Sequence, residues 1–203
     1  HAPAGPVLGA DVDLDAVQAN RQLSFDEASD EFRELFFDAV RLRLRSDVAV
    51  GVCLSGGVDS SSIAAVAKKV ASSSSDIRSV SCVWDDPACD ESRFIDEVVR
   101  ACGLDAVVSR PNMDELLGDG TLDRLVYHQD QPVLSCSQFS EYSVFGAARA
   151  HGLVVMLDGQ GADEYLAGYG WFFPPFIRSL VLSGRWREAV QEVREEIHAH
   201  LEM

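Results

Sequence analysis

Seven residues, Ser55-Gly56-Gly57-Val58-Asp59-Ser60-Ser61, constrain the fold of this chain more than any other stretch. Before them runs Asp47-Val-Ala-Val-Gly-Val-Cys-Leu54, a short apolar run rich in β-branched residues that reads as a buried strand. After them, Ser62-Ile-Ala-Ala-Val-Ala-Lys-Lys-Val-Ala71 has the amphipathic pattern of a helix. Two glycines at a strand-to-helix corner let the backbone turn tightly and bring its N–H groups near a ligand. The helix start adds unpaired donors and partial positive charge, so the corner suits an anion, most simply phosphate. Ser55, Ser60 and Ser61 add hydroxyls, whereas Asp59 repels phosphate unless a cation lies between them, which implies Mg2+. The spacing is not that of a Walker A loop, which needs a lysine, nor of a Gly-x-Gly-x-x-Gly dinucleotide fingerprint.

The 203 residues suffice for one sizeable core and at most a small appendage. With 47% apolar residues the chain should fold. A formal charge of −16, from 33 acidic against 17 basic residues, argues against nucleic-acid binding through a basic face. It also means that nucleotide phosphates must be held by local donors and magnesium against the overall field. The five cysteines form no Cys-x-x-Cys pair, so buried free thiols in a reducing compartment are expected rather than zinc or disulfides. No signal peptide and no run of membrane-spanning length is visible, and the expectation is a cytoplasmic protein with no membrane partner.

Residues 1–23 read as a linker or docking segment, and Ser24-Phe-Asp-Glu27 as a capping box opening a long helix to Arg45. A serine run, 72–75, reads as a flexible connection. Ile77 to Trp84 and Asp105 to Ser109 read as strands, with a helix between them that ends at Gly103. Two short helices are expected within 112–128, another over 137–151, and a fourth strand from Gly152 to Leu157. The alternation predicts an α/β fold, a parallel doubly wound sheet covered on both faces, over residues 24–172. Residues 173–203 read as the start of a helical C-terminal subdomain. His128 and His151 lie near helix ends, and His198 and His200 are spaced to splay apart on a helix, so none suggests a metal site.

A second glycine corner follows the fourth strand: Asp158-Gly159-Gln160-Gly161-Ala162-Asp163-Glu164. Parallel sheets bind ligands at the carboxyl ends of their strands, so both corners can face one pocket, where Asp59 and Asp163 could clamp one magnesium over pyrophosphate. Charge stabilisation at a helix N-terminus accounts for the placement of Asp163 and Glu164 equally well. Tyr165 and Tyr169 fit either a pocket wall or packing.

The first loop resembles that of the ATP pyrophosphatase superfamily, residue for residue. The second corner, with the following Gly168-Tyr169 pair and the run from Arg41 to Val52, resembles the synthetase domain of the glutamine-dependent asparagine synthetase family. β-Lactam synthetases and lasso-peptide cyclases share that likeness. The resemblance implies an adenine nucleotide alpha hydrolase-like fold and an ATP-dependent, AMP-forming amide ligase. Such an enzyme activates a small carboxylate, aspartate in the asparagine case, as acyl-adenylate, and glutamine-derived ammonia then displaces AMP. By the same resemblance Ser55, Gly56, Gly57, Asp59, Ser60 and Ser61 hold pyrophosphate, and Asp59 and Asp163 bind magnesium. Leu54, Cys82, Asp158 and Gly159 contact ATP, although core packing explains Cys82 as well.

Three departures stand out. Gln160 occupies a position where asparagine synthetases carry a glutamate tied to adenylate formation, and an amide cannot act as a base. Residue 1 is His rather than the family's glutaminase cysteine, and the later lysine of acyl transfer has no counterpart before Met203. The expectation is a nucleotide-binding fragment whose ammonia source lies outside it. A homo-oligomer, ring closure of the β-lactam or lasso type, and a non-catalytic nucleotide-binding module all stay open.

Overall fold

The computed structural model describes residues 23–71, 77–118, 120–133, 135–166 and 168–202. Residues 1–22 of the expected linker 1–23, the serine run 72–75 and the side chain of His200 lie outside the described residues. Two compact units are present, one ending at Leu157 and one beginning at Asp158, where composition suggested a boundary at 172.

The first unit opens with α1 (Phe25–Arg43). Ser24 caps it as expected: its Oγ accepts from the Glu27 N–H at 3.3 Å, and Glu27 accepts from the Ser24 N–H at 2.8 Å. Then follow β1 (Val50–Cys53), α2 (Val58–Val70), β2 (Arg78–Cys82), α3 (Ser92–Cys102) and β3 (Asp105–Ser109). The unit ends with α4 (Met113–Leu117), α5 (Thr121–Gln129), α6 (Cys136–Ala150) and β4 (Val155–Leu157). The strands order β3-β2-β1-β4 and every pair is parallel. Gly51 faces Arg78 on one side and Met156 on the other.

Alternation along the strands sends side chains to two covered faces. Val50, Val52, Leu54 and Leu157 pack with Val40 of α1, Ala64 and Ala67 of α2 and Ile95 of α3. Cys53, Val80, Cys82 and Met156 pack on the other face against Val144 and Ala148 of α6. This is the doubly covered parallel sheet expected from the strand–helix alternation. Each fully buried side chain such as Ile95 contributes about 1.5–3 kcal/mol. A third cluster joins Leu116, Leu125 and Phe139 under Trp84.

Several element boundaries differ from the sequence expectation by a few residues; two have a clear local cause, and one of these bears on the site. The fourth strand starts at Val155, because Gly152 turns with φ 76° and Leu153 N–H still bonds back to the Ala148 carbonyl. The helix after the first corner starts at Val58, not Ser62. Gly57 is its N-cap (φ −68°, ψ 162°), so Val58 through Ser61 already form the first turn of α2.

The second unit contains α7 (Ala162–Leu166), a 3-10 turn at Gly170–Phe172, α8 (Phe173–Leu182) and α9 (Trp186–Glu202). Pro174 and Pro175 fall in the first turn of α8, where missing N–H groups cost nothing. Gly184, at φ 77°, turns the chain between α8 and α9, and Arg185 N–H closes on the Leu180 carbonyl at 2.9 Å.

Candidate functional site

The corner after β1 is built from backbone torsion and its own serines. Leu54 is buried, and its N–H donates to the Val80 carbonyl of β2 at 3.0 Å, which fixes where β1 ends. Gly56 then turns with φ 85°. Ser60 Oγ accepts from the Ser55 N–H at 3.2 Å, lies 3.0 Å from Ser55 Oγ and donates to the Gly57 carbonyl at 3.2 Å. Gly57 N–H reaches Ser55 Oγ at 3.4 Å. Ser60 is thus buried and occupied within the loop, while Ser61 Oγ is buried with no partner among the described residues.

The two glycines have different surroundings. A Cβ on Gly56 would lie 2.8 Å from Phe94 Cβ and 3.1 Å from the Ile95 nitrogen, so the start of α3 closes on this residue. A Cβ on Gly57 would meet only Ser55 Oγ, at an ordinary 3.5 Å. Sequence reasoning missed the Phe94 contact, since no local signal links residues 38 positions apart. Above Gly57 the N–H groups of Val58, Asp59 and Ser60 have no carbonyl within α2 to accept them. Gly57 supplies no side-chain cap. Val58 is exposed and Asp59 half-buried in the same turn. This arrangement presents several backbone donors and a helix-dipole charge to one place.

Cys82 ends β2, next to β1, but Leu54 and Cys82 face opposite sides of the sheet. Leu54 packs with α2 and α3, and Cys82 with α6. Burial pushes the Cys82 thiol up, partly opposed by a hydrogen bond with Ser140. Ser140 also accepts from Trp84 Nε1 at 2.9 Å. Ser79 and Ser81 of β2 are fully buried with hydroxyls that have no partner among the described residues.

In the second unit Asp158 and Gln160 are exposed, Gly159 is half-buried, and Gly161 turns with φ 92°. Ala162 N–H donates to the Gly159 carbonyl at 3.3 Å, which opens α7 with Asp163 and Glu164 in its first turn. Tyr169 hydroxyl donates to Glu164 Oε1 at 3.3 Å, and its ring stacks on Trp171 at 4.2 Å. Burial, then the charges of Glu164 and Asp163, raise the Tyr169 phenol above its ordinary range. Among the described residues no three His, Cys, Asp or Glu side chains form a metal cage. No described helix is long and apolar enough to cross a membrane.

Comparison with known proteins bears on both corners. The family model described as Asparagine synthase matches residues 31–202. Asparagine synthetase [glutamine-hydrolyzing] 1 of Bacillus subtilis (strain 168) is 32% identical over 154 residues, covering 76% of this chain and 23% of that protein. Amidase chyE of Penicillium rubens is 30% identical over 168 residues, covering 74% of this chain and 25% of that protein. The chain therefore spans about a quarter of the length of these curated relatives. Among solved structures, NH3-dependent NAD synthetase from Campylobacter jejuni in complex with nitrate aligns with a TM-score of 0.46 at 15% identity, over 70% of this chain and 60% of that one. Since the matched family span takes in both glycine corners and every strand of the sheet, the chain belongs to the asparagine synthase family.

Proposed function

We propose that this chain carries the ATP-activating part of an AMP-forming amide ligase. Aspartate is the carboxylate activated, and glutamine-derived ammonia from a partner glutaminase is the amine. The observation that carries this reading is the open first turn of α2. Three N–H groups without helical acceptors, the vacant space over Gly57 and the unpartnered Ser61 hydroxyl make a cradle for the pyrophosphate end of ATP. Those donors would neutralise the departing pyrophosphate without rearranging, which is how preorganised groups lower a barrier.

Asp59 stands in the same turn, where a bare carboxylate opposes an anion. Magnesium resolves that conflict, and it needs only one or two protein carboxylates because phosphates and water complete its shell. Asp59 and Asp163 are assigned as the magnesium ligands. Ser55, Gly56, Gly57, Ser60 and Ser61 are assigned to pyrophosphate, with Ser55 and Ser60 acting by holding the loop. Leu54, Asp158 and Gly159 are assigned to the rest of ATP. Cys82 faces the α6 side, so only its backbone is assigned there.

Gln160 favours a second reading within the same chemistry. With an amide where a glutamate would serve as base, a different carboxylate or amine is joined, as in ring closure. ATP–pyrophosphate exchange with a panel of carboxylates separates the two. Exchange that requires aspartate supports the first, and exchange with another acid supports the second. Asp59→Asn should lower exchange more than about 10-fold at fixed magnesium. No exchange with any acid, together with unimpaired ATP binding, would leave a binding module.

A further inference from the structure

Asp163 and Glu164 are adjacent carboxylates held in different ways. The chain returns beneath Asp163 at Gly168, whose N–H donates to the Asp163 carbonyl at 3.0 Å in a helix-ending turn. A Cβ on Gly168 would overlap Asp163 Oδ1 and lie 2.8 Å from its Cγ and 3.3 Å from its Cα. Gly168 is not among the residues with positive φ, so torsion is not what demands a glycine there. The demand comes from the Asp163 side chain, which rests on the bare Cα. Glu164 is engaged elsewhere, by the Tyr169 hydroxyl, on a ring fixed against Trp171.

We propose that Gly168 is a positioning residue that sets the Asp163 carboxylate for magnesium, while Tyr169 occupies Glu164, so that only the first of the two carboxylates serves the metal. This rests on the proposed role of Asp163. Magnesium holds its oxygens at about 2.0–2.1 Å in near-ideal octahedral geometry, so it discriminates sharply against a carboxylate pushed into another rotamer. Any side chain at residue 168 forces that change, because its Cβ would overlap the Asp163 carboxylate, the movable end of that side chain, while already tight against the Asp163 Cα at 3.3 Å.

The test is calorimetric ATP binding by the whole chain at a series of magnesium concentrations. Gly168→Ala should raise the magnesium needed for half-maximal affinity about 10-fold, as loss of a supporting residue does. Gly170→Ala, where a Cβ meets nothing within 4 Å, should change nothing, and neither should Glu164→Gln. Damage to the fold is separated by a double-mutant cycle: Gly168→Ala should add no further loss to Asp163→Asn. Additive losses, or a Glu164→Gln effect equal to that of Asp163→Asn, would overturn the assignment. If Asp163→Asn alone leaves the magnesium requirement unchanged, the metal role of Asp163 fails and this inference with it. If Asp163→Asn raises it and Gly168→Ala does not, the positioning role alone fails.

Discussion

Replacing each glycine of the first corner by alanine should give opposite results in stability and binding. At Gly56 the alanine must hold φ near 85°, which costs about 1–3 kcal/mol for a residue with a Cβ. That Cβ also meets Phe94 Cβ at 2.8 Å and the Ile95 nitrogen at 3.1 Å, and overpacking of this kind costs about 1–3 kcal/mol more. The sum, about 2–6 kcal/mol, is a large part of the about 5–15 kcal/mol that holds a domain folded. At Gly57, φ −68° and ψ 162° suit any residue, and the only neighbour lies at 3.5 Å, so alanine should change stability by less than about 1 kcal/mol. Urea unfolding read by Trp84 fluorescence, with Trp171 and Trp186 replaced by Phe, follows the unit that carries the loop. With a slope of about 2 kcal/mol per molar urea, Gly56→Ala should lower the midpoint by about 1 M or more. Gly57→Ala should leave the midpoint in place while weakening ATP binding, because its methyl stands where the phosphates lie in the proposed complex. Equal midpoint shifts for the two, or a stable Gly56→Ala, would refute the packing argument. Unchanged ATP affinity in Gly57→Ala would refute the cradle.

Two further outcomes follow from titratable groups. In alkylation, exposed Cys89 and Cys136 should react first, and Cys82 should lag at least about 10-fold at neutral pH, because it is half-buried and burial pushes its thiol further up, leaving less thiolate within reach; mass spectrometry finding Cys82 labelled as fast as Cys89 would contradict this. Hydrogen bonds from the Ser24 backbone and side chain hold the Glu27 carboxyl below its ordinary range. Its stabilising contribution is therefore full above the unfolded carboxyl value and is lost as pH falls through the lowered one. The midpoint difference between the parent chain and Ser24→Ala should accordingly shrink between about pH 6 and about pH 3. A difference that stays constant over that range would rule the linkage out.

The strands and the order of the helices were legible because apolar alternation and caps are local signals. Ser24 with Glu27, and Val52 between two covered faces, state their roles within a few residues. Where β1 ends was not legible, since it depends on Leu54 donating to Val80 in the next strand. Nor was the start of α2: the sequence suggested Ser62, and the torsions of Gly57 moved it into the motif. That shift matters chemically, because it turns Val58, Asp59 and Ser60 from loop residues into donors of a helix end. Ser79 and Ser81 were passed over as strand residues, and only the structure shows that their buried hydroxyls have no partner among the described residues. The strand that carries Cys82 was read as running on to Trp84, whereas it ends at Cys82, whose face follows from parity with Val80 and could have been counted.

A motif match treats its glycines alike, and the surroundings show that they are not evidence of the same thing. Gly56 is required by the fold itself: a left-handed torsion with the start of α3 pressed against it would demand glycine even in a protein that bound nothing. Its presence therefore cannot distinguish an enzyme from a scaffold. Gly57 has ordinary torsions and open space, so packing gives no reason for a residue that disfavours order in the unfolded-to-folded balance. A ligand approaching the backbone does give one. The same holds for Ser61, whose buried hydroxyl without a partner costs stability until something accepts or donates to it. Gly57 and Ser61 together, rather than the seven-residue match as a whole, favour a bound phosphate over a purely structural corner.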